Sequence, residues 1–558
     1  MSHRYRDERQ DTAISCCLVG ILSGGPGRAA VDKIVHMVPH MSPSKSPETA
    51  SYAKTKSTIM QTGEFASVFD QIAPRCYVSV AQYFRTSADQ HTRRITAHLQ
   101  QAVQNLITVQ PCLGGVLSED DTAFIRFHPR PVPELNDIEI REIDCRQVSF
   151  ADLEKKHYGP SYCCNPEFAV PPPNSEFIPV FRAAICWYQD GFAVLTFLHH
   201  TVADGLSCQY LIEALAAVTW DEIKLPRHRQ LRFGEPSWKS MARRGSIAPS
   251  TSSSAPASTS SRQHGQHEAV QFDQHCAYAA KGCESGPLAH RGTTTPPGPL
   301  TQLLVQVSTP GTDDASCTRF CKRAAQAWIL TMTSRDRASR FKRRHEITTG
   351  IEADVEDEPL ADLLFAVGLN RADDELGSRA VYSKVSYPVL RLIRALDDPA
   401  ELRKLEIHIS KAVETARLPQ FRRAYEETFE NYFREGGDPS RIQVSADQAD
   451  PYVFIFNTWR FMGKTGDRVT PIRWKFPCFS SPKAPDCIRK VASGYGGASY
   501  GLVQPSTRVC RDGKRSPDEI LITLKSGDAR EFTALVDEQK HAGITSCWEV
   551  LDMIEQTA

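Results

Sequence analysis

A chain of 558 residues exceeds what one ordinary hydrophobic core organises, so two or more domains are expected. Its 66 Lys and Arg balance 66 Asp and Glu, giving a formal charge of +0. That balance argues against a nucleic-acid binder, which needs a clustered basic excess to neutralise phosphate. With 41% hydrophobic and 24% charged residues the composition is that of a soluble globular protein, and no apolar run is long enough for a membrane span.

The 17 cysteines are an odd number and include no C-x-x-C pair, unlike a secreted disulfide scaffold. Cys317 and Cys321 come nearest to a metal pair, but no His pair accompanies them. Ordinary reduced thiols and no metal are expected. Ala13 to Leu22 has the apolar character of a signal-peptide core, yet Asp7, Glu8 and Asp11 offset Arg4, Arg6 and Arg9 before it. A cytoplasmic protein is the expectation.

Residues 1–62 are rich in Ser, Gly and charge without periodicity and read as a flexible extension. A first lobe is expected over 63–230. Cys76 to Phe84 reads as a strand, and Ile95, Leu99, Ala102, Val103 and Leu106 fall at helical spacing. Pro111 to Gly115 then breaks the helix. Phe181 to Tyr188 and Phe192 to Leu198 read as a buried hairpin turned by Gln189, Asp190 and Gly191. A helical run through Leu211, Leu215 and Val218 follows. Residues 231–299 contain STSSSAPASTSS and TTTPPGP, too poor in apolar groups to offset chain entropy, and are expected to be a crossover linker. The second lobe, 300–558, alternates strand-like and helical runs, among them Leu303 to Val307, Leu390 to Leu396, Tyr452 to Phe456 and Ile520 to Leu524. The fold class is α/β.

The most informative segment is His199-His200-Thr201-Val202-Ala203-Asp204-Gly205, directly after the second hairpin strand. A side chain at a strand end is held firmly and can face a cleft. A histidine has an ordinary pKa of about 6.5, so neutral imidazole is available there as a base. Asp204 can lock the turn by ion pairing or by accepting backbone hydrogen bonds, and Gly205 permits a tight backbone. A lone match of this length is more often a packed polar histidine; the tandem His and the flanking elements strengthen it. Gly-rich GYGGAS (494–499) lacks the Lys-Ser/Thr ending of a phosphate loop.

HHTVADG resembles the HHxxxDG signature of BAHD-type acyl-CoA-dependent acyltransferases, whose fold chloramphenicol acetyltransferase and peptide-synthetase condensation domains share. SVFDQIAPRCYVSVAQYFR (67–85) is similar to the opening strand of fungal members, and QPCLGGVL (110–117) to a segment after the first helix. TSRDRAS (333–339) resembles a helix start, GIEADV (350–355) a central strand, and FNTWRFMG (456–463) the TSW segment of the fungal trichothecene O-acetyltransferase group. The chain departs from the pattern in three places. KTGDRVTPIRWKFPCFSS (464–481) stands where a DFGWG-like motif is usual, Glu356 where an Arg is usual, and Gly368-Leu369-Asn370 where a Gly-Asn pair is usual.

The resemblance implies two similar lobes, each a mixed β-sheet flanked by helices, with a channel between them. It implies that His200 is the general base, that Asp204, Gly205 and His199 are structural, and that Thr458 and Trp459 line the channel from the second lobe. It implies acyl-CoA, with acetyl-CoA foremost, as cosubstrate, no bound cofactor, and a small-molecule alcohol or amine as acceptor for a monomeric enzyme. A condensation domain joining carrier-bound groups, or a non-catalytic binding protein of the same fold, are the alternatives.

Overall fold

The computed structural model describes residues 64–65, 67–86, 92–120, 123–163, 168, 177–220, 230–231, 278–280, 299–308, 317–338, 358–368, 375–376, 380–439, 442–444, 451–464, 470–491, 499–505, 517–541 and 548–556. The 1–62 extension lies outside them, as do Glu356, GIEADV, Leu369, Asn370, residues 494–498 and all of the 231–299 crossover except 231, 278–280 and 299.

The first lobe is laid down in chain order. Strand β1 (Tyr77–Arg85) leads to helix α1 (Thr92–Val109), then β2 (Arg141–Cys145) and the expected hairpin of β3 (Phe181–Tyr188) and β4 (Gly191–His199). Helix α2 (Gly205–Val218) closes it. The periodicity of α1 works as its sequence dictates, since Ile95, Leu99, Ala102, Val103, Leu106 and Ile107 form its buried stripe. Along β1, side chains alternate between two cores. Val78, Val80 and Phe84 pack toward α1 and α2, whereas Ala81 and Tyr83 pack with Phe150 and Tyr188 on the other face.

The second half supplies β5 (Leu300–Val307), α3 (Arg319–Arg337), β6 (Leu360–Gly368), β7 (Ala380–Pro388), α4 (Pro399–Arg417), α5 (Pro419–Arg434) and β8 (Val453–Thr458). Leu390 to Leu396 falls on a short helix, Val389–Arg394. TSRDRAS ends α3 rather than starting a helix. The N-cap of α3 is Thr318, whose side chain accepts the Cys321 N–H, and the apolar stripe carries the helix through to Arg337.

The chain then does something its periodicity does not announce. Strand β9 (Cys487–Lys490) leaves the second lobe and completes the first sheet, pairing antiparallel with β1 so that Lys490 stands opposite Val80. Strands β10 (Tyr500–Val503) and β11 (Asp518–Lys525), helix α6 (Ser526–His541) and strand β12 (Trp548–Gln556) return to the second sheet. The result is a five-stranded sheet ordered β9-β1-β4-β3-β2 and a seven-stranded sheet ordered β7-β6-β8-β10-β11-β5-β12. Both are mixed: β2 with β3, and β6 with β8 and β10, run parallel, and the remaining neighbours antiparallel. The fold is therefore α/β with two lobes, each a mixed sheet flanked by helices.

The lobes share a core. Leu364, Ala366, Ile455, Trp459 and Leu502 of the second sheet belong to one buried cluster with Val80, Leu198 and Leu211 of the first lobe. The segment at 470–483 fastens this junction. Trp474 and Phe476 stack at 5.8 Å, and Phe476 and Phe479 meet Phe84 and Phe192 at 5.1–6.1 Å. His98 Nε2 bonds the Lys475 carbonyl at 2.8 Å, and Lys475 N–H donates to Thr219 Oγ1 at 3.0 Å. Where the resemblance implies a DFGWG-like motif, the chain has an aromatic clasp.

Candidate active site

The HHTVADG turn sits where the five-stranded sheet meets the second lobe. Two hydrogen bonds fix its entry: His199 N–H donates to the Val180 carbonyl at 2.9 Å, and His200 N–H to the Cys76 carbonyl at 2.7 Å. The imidazole carriers are thus tied to strands on either side of β4. Both histidines are buried, as are Thr201 and Asp204.

The two rings face different surroundings. His199 packs edge-on against Tyr77 at 5.5 Å, and its Nδ1 accepts the Thr201 N–H at 3.4 Å. That bond assigns the proton of the neutral ring to Nε2. Burial, with help from His200 and Arg75, pushes the His199 pKa down to about 3, so it stays neutral at physiological pH.

Asp204 is the N-cap of α2. Its Oδ1 accepts the Ser207 N–H at 2.9 Å. Backbone acceptance is thus one of the two roles open to it from sequence. Gly205 opens the helix, and its φ is not left-handed, so the turn does not depend on glycine's special backbone freedom. Asp204→Ala removes the cap and should lower stability by about 1–2 kcal/mol. Chemical denaturation of the variant at unchanged m checks this; a midpoint equal to that of the native chain would remove the capping role.

Cys76 has to be weighed as a nucleophile because its carbonyl binds the His200 turn. Burial pushes its thiol up to about 12, against the opposing pull of the Lys490 ammonium. A thiol so placed is protonated and a poor nucleophile near neutral pH. Among the described residues, no group of three His, Cys, Asp or Glu is arranged to hold a metal, and Cys317 and Cys321 are buried and not joined by a disulfide.

From the second lobe, Trp459 follows directly on β8. Its N–H donates to the Val503 carbonyl at 2.9 Å, and its buried indole Nε1 makes no hydrogen bond. Strand alternation puts Asn457 on the Trp459 face, with Thr458 on the opposite one, where its hydroxyl accepts the Arg460 N–H at 3.4 Å. The motif helix is tied to this segment by Gln209, whose Nε2 donates to the Lys464 carbonyl at 2.6 Å.

Lys490 was not legible as a site residue. It is 2% exposed, and its ammonium lies 5.4 Å from the Trp459 ring centroid and 5.2 Å from that of Tyr500. Its N–H donates to Gln504 Oε1 at 3.0 Å. The signal that could have found it is the alternation of CIRK, which sets Ile488 and Lys490 on one strand face.

No family model matches the chain, and no curated protein sequence matches it. Solved structures do. TRI101 of F. sporotrichioides, complexed with coenzyme A and T-2, superposes with a TM-score of 0.58 at 13% identity, covering 88% of this chain and 100% of that one. TRI101 of F. graminearum, complexed with coenzyme A and T-2 mycotoxin, gives 0.52 at 12% identity over 87% and 99% of the two chains. Its apo form gives 0.53 at 12% identity over 85% and 96%. At these identities the likeness is one of fold.

Proposed function

We propose that this chain transfers an acyl group, acetyl foremost, from acyl-CoA to a hydroxyl or amine of a small secondary metabolite. His200 is the general base, and no covalent acyl-enzyme forms. One observation carries the reading: a tandem His-x-x-x-Asp turn pinned at the junction of two lobes, with Asp204 turned to its own helix and His199 held neutral. The fold in which this occurs is that of TRI101, which has been crystallised with coenzyme A together with T-2 mycotoxin or deoxynivalenol.

The chemistry then follows. Neutral His200 takes the proton of the acceptor hydroxyl as its oxygen attacks the thioester carbonyl. The tetrahedral oxyanion needs donors already in place. The Trp459 indole N–H, buried and without a hydrogen bond, is assigned that part in this reading. Collapse breaks the carbon–sulfur bond, and His200 returns the proton to the departing CoA thiolate. The base supplies about 10²–10⁴-fold, and positioning of the two substrates must supply much of the rest. Thr458 enters this reading as a strut behind Trp459. The enzyme is proposed to act as a cytoplasmic monomer.

A non-catalytic binding protein is the second reading. The clasp formed by Trp474, Phe476 and Phe479 in place of the family's motif favours it. Release of free thiol from acetyl-CoA across a panel of fungal alcohols separates the two. Turnover that survives chelator treatment is expected. Loss on chelation with recovery on adding zinc would overturn the metal-free mechanism, and absence of thiol release with every alcohol would favour the binding protein.

A further inference from the structure

A lysine buried without a counter-ion is costly, and aromatic faces offset only part of the cost. Lys490 is in that state. Among the described residues no carboxylate pairs with its ammonium, which rests over Trp459 and Tyr500. Its backbone is held in strand register opposite Val80 and by the bond to Gln504 Oε1. That same bond assigns the Gln504 amide: Oε1 accepts, so Nε2 is a donor, and this Nε2 is buried with no hydrogen bond. Gln504 itself is 2% exposed. Two donors, one of them cationic, are therefore carried by two residues joined through the Lys490 backbone, and no acceptor for either is supplied by the described residues. Strand β9 runs beside the start of β1, with Val491 N–H donating to the Ser79 carbonyl at 3.0 Å, and the Cys76 carbonyl just before β1 holds His200.

We propose that Lys490, seconded by Gln504 Nε2, is an anion-binding subsite that takes a carboxylate carried by one of the two substrates. The inference rests on the acyl-transfer reading for the identity of those substrates. It narrows their class: either the acceptor is a hydroxy or amino acid, or the acyl group ends in a carboxylate. A charge-assisted hydrogen bond in a buried setting is the interaction that would discriminate an acid from its ester, by about 10- to 100-fold in affinity.

The test is titration calorimetry on the full-length protein with two matched pairs of probes. One is hydroxybenzoate against its methyl ester, and the other is malonyl-CoA against acetyl-CoA. The native chain should prefer the anionic member of one pair by about 10- to 100-fold, and the pair in which this happens identifies the source of the carboxylate. Lys490→Met should erase that preference while the neutral member binds as before, and Lys490→Arg should keep it. Gln504→Glu still accepts the Lys490 N–H but replaces the Nε2 donor with a carboxylate oxygen that repels an anion, so it should erase the preference in a chain that folds even if Lys490→Met does not. No preference in either pair, or a preference that survives Lys490→Met or Gln504→Glu, would overturn the proposal. Because the readout is binding, it separates from the transfer reading. A native chain that prefers the anion but releases no CoA defeats transfer alone, and one that transfers without any preference defeats the subsite alone.

Discussion

Replacing His200 with alanine is expected to lower single-turnover acyl transfer by about two to four orders of magnitude while leaving the protein folded and able to bind acyl-CoA. The separation of these effects comes from the way the turn is built. The backbone bond from His200 to the Cys76 carbonyl does not involve the imidazole, and Asp204 caps α2 independently of it. Losing the ring removes the proton acceptor and little of the scaffold. Some loss of packing is inevitable at a buried position, so thermal unfolding is measured beside the kinetics. Near-native turnover in a folded His200→Ala chain would remove the catalytic assignment and put the binding protein ahead.

The largest stability effect is expected at Arg489. This residue is the structural counterpart of Lys490, pointing to the other face of β9. Its Nη2 pairs with Glu519 Oε2 at 2.5 Å and also takes the His157 carbonyl at 2.7 Å, while Nε takes the Tyr158 carbonyl at 3.3 Å. One guanidinium thus joins β9, a first-lobe loop and β11. Its side chain is only 1% exposed, against 15% for Glu519. Arg489→Met leaves Glu519 and two carbonyls without their shared donor, and should cost about 3–5 kcal/mol, the range for breaking a buried pair from one side. Glu519→Gln, which keeps an acceptor oxygen, should cost less. Urea unfolding of both variants checks the ranking. An Arg489→Met chain with a native midpoint would show that the lobes do not rely on this junction.

Much of the first lobe was legible because its elements are long and periodic. The stripe of α1 and the all-apolar β3–β4 hairpin announce themselves, and the turn after β4 carries its own signature. The observed strands and helix match those readings to within a few residues. Strand β9 was not legible. Four residues, two of them cationic, are too short a run for a strand pattern, and they are buried only because β1 comes from more than four hundred positions upstream. Arg489 and Lys490 were missed for the same reason: the alternation of CIRK sets them on opposite faces, but their partners are set by tertiary pairing. Trp459 could be picked out by its segment, but its unused indole N–H and the place of Thr458 behind the strand emerge only from the packing. The clasp at 470–483 was visible only as a missing motif, because aromatic residues at irregular spacing do not reveal which sheet they cover.

The central claim, direct transfer with His200 as base, is tested most directly by a single-turnover mass measurement. The native chain is mixed with acetyl-CoA and the alcohol that gives the greatest thiol release, then quenched before a second turnover. Acetylated alcohol and free CoA are expected in equal amounts, with the mass of the intact protein unchanged at every time point. A protein that gains an acetyl group before the alcohol does, or CoA released with no acetylated alcohol, would contradict it.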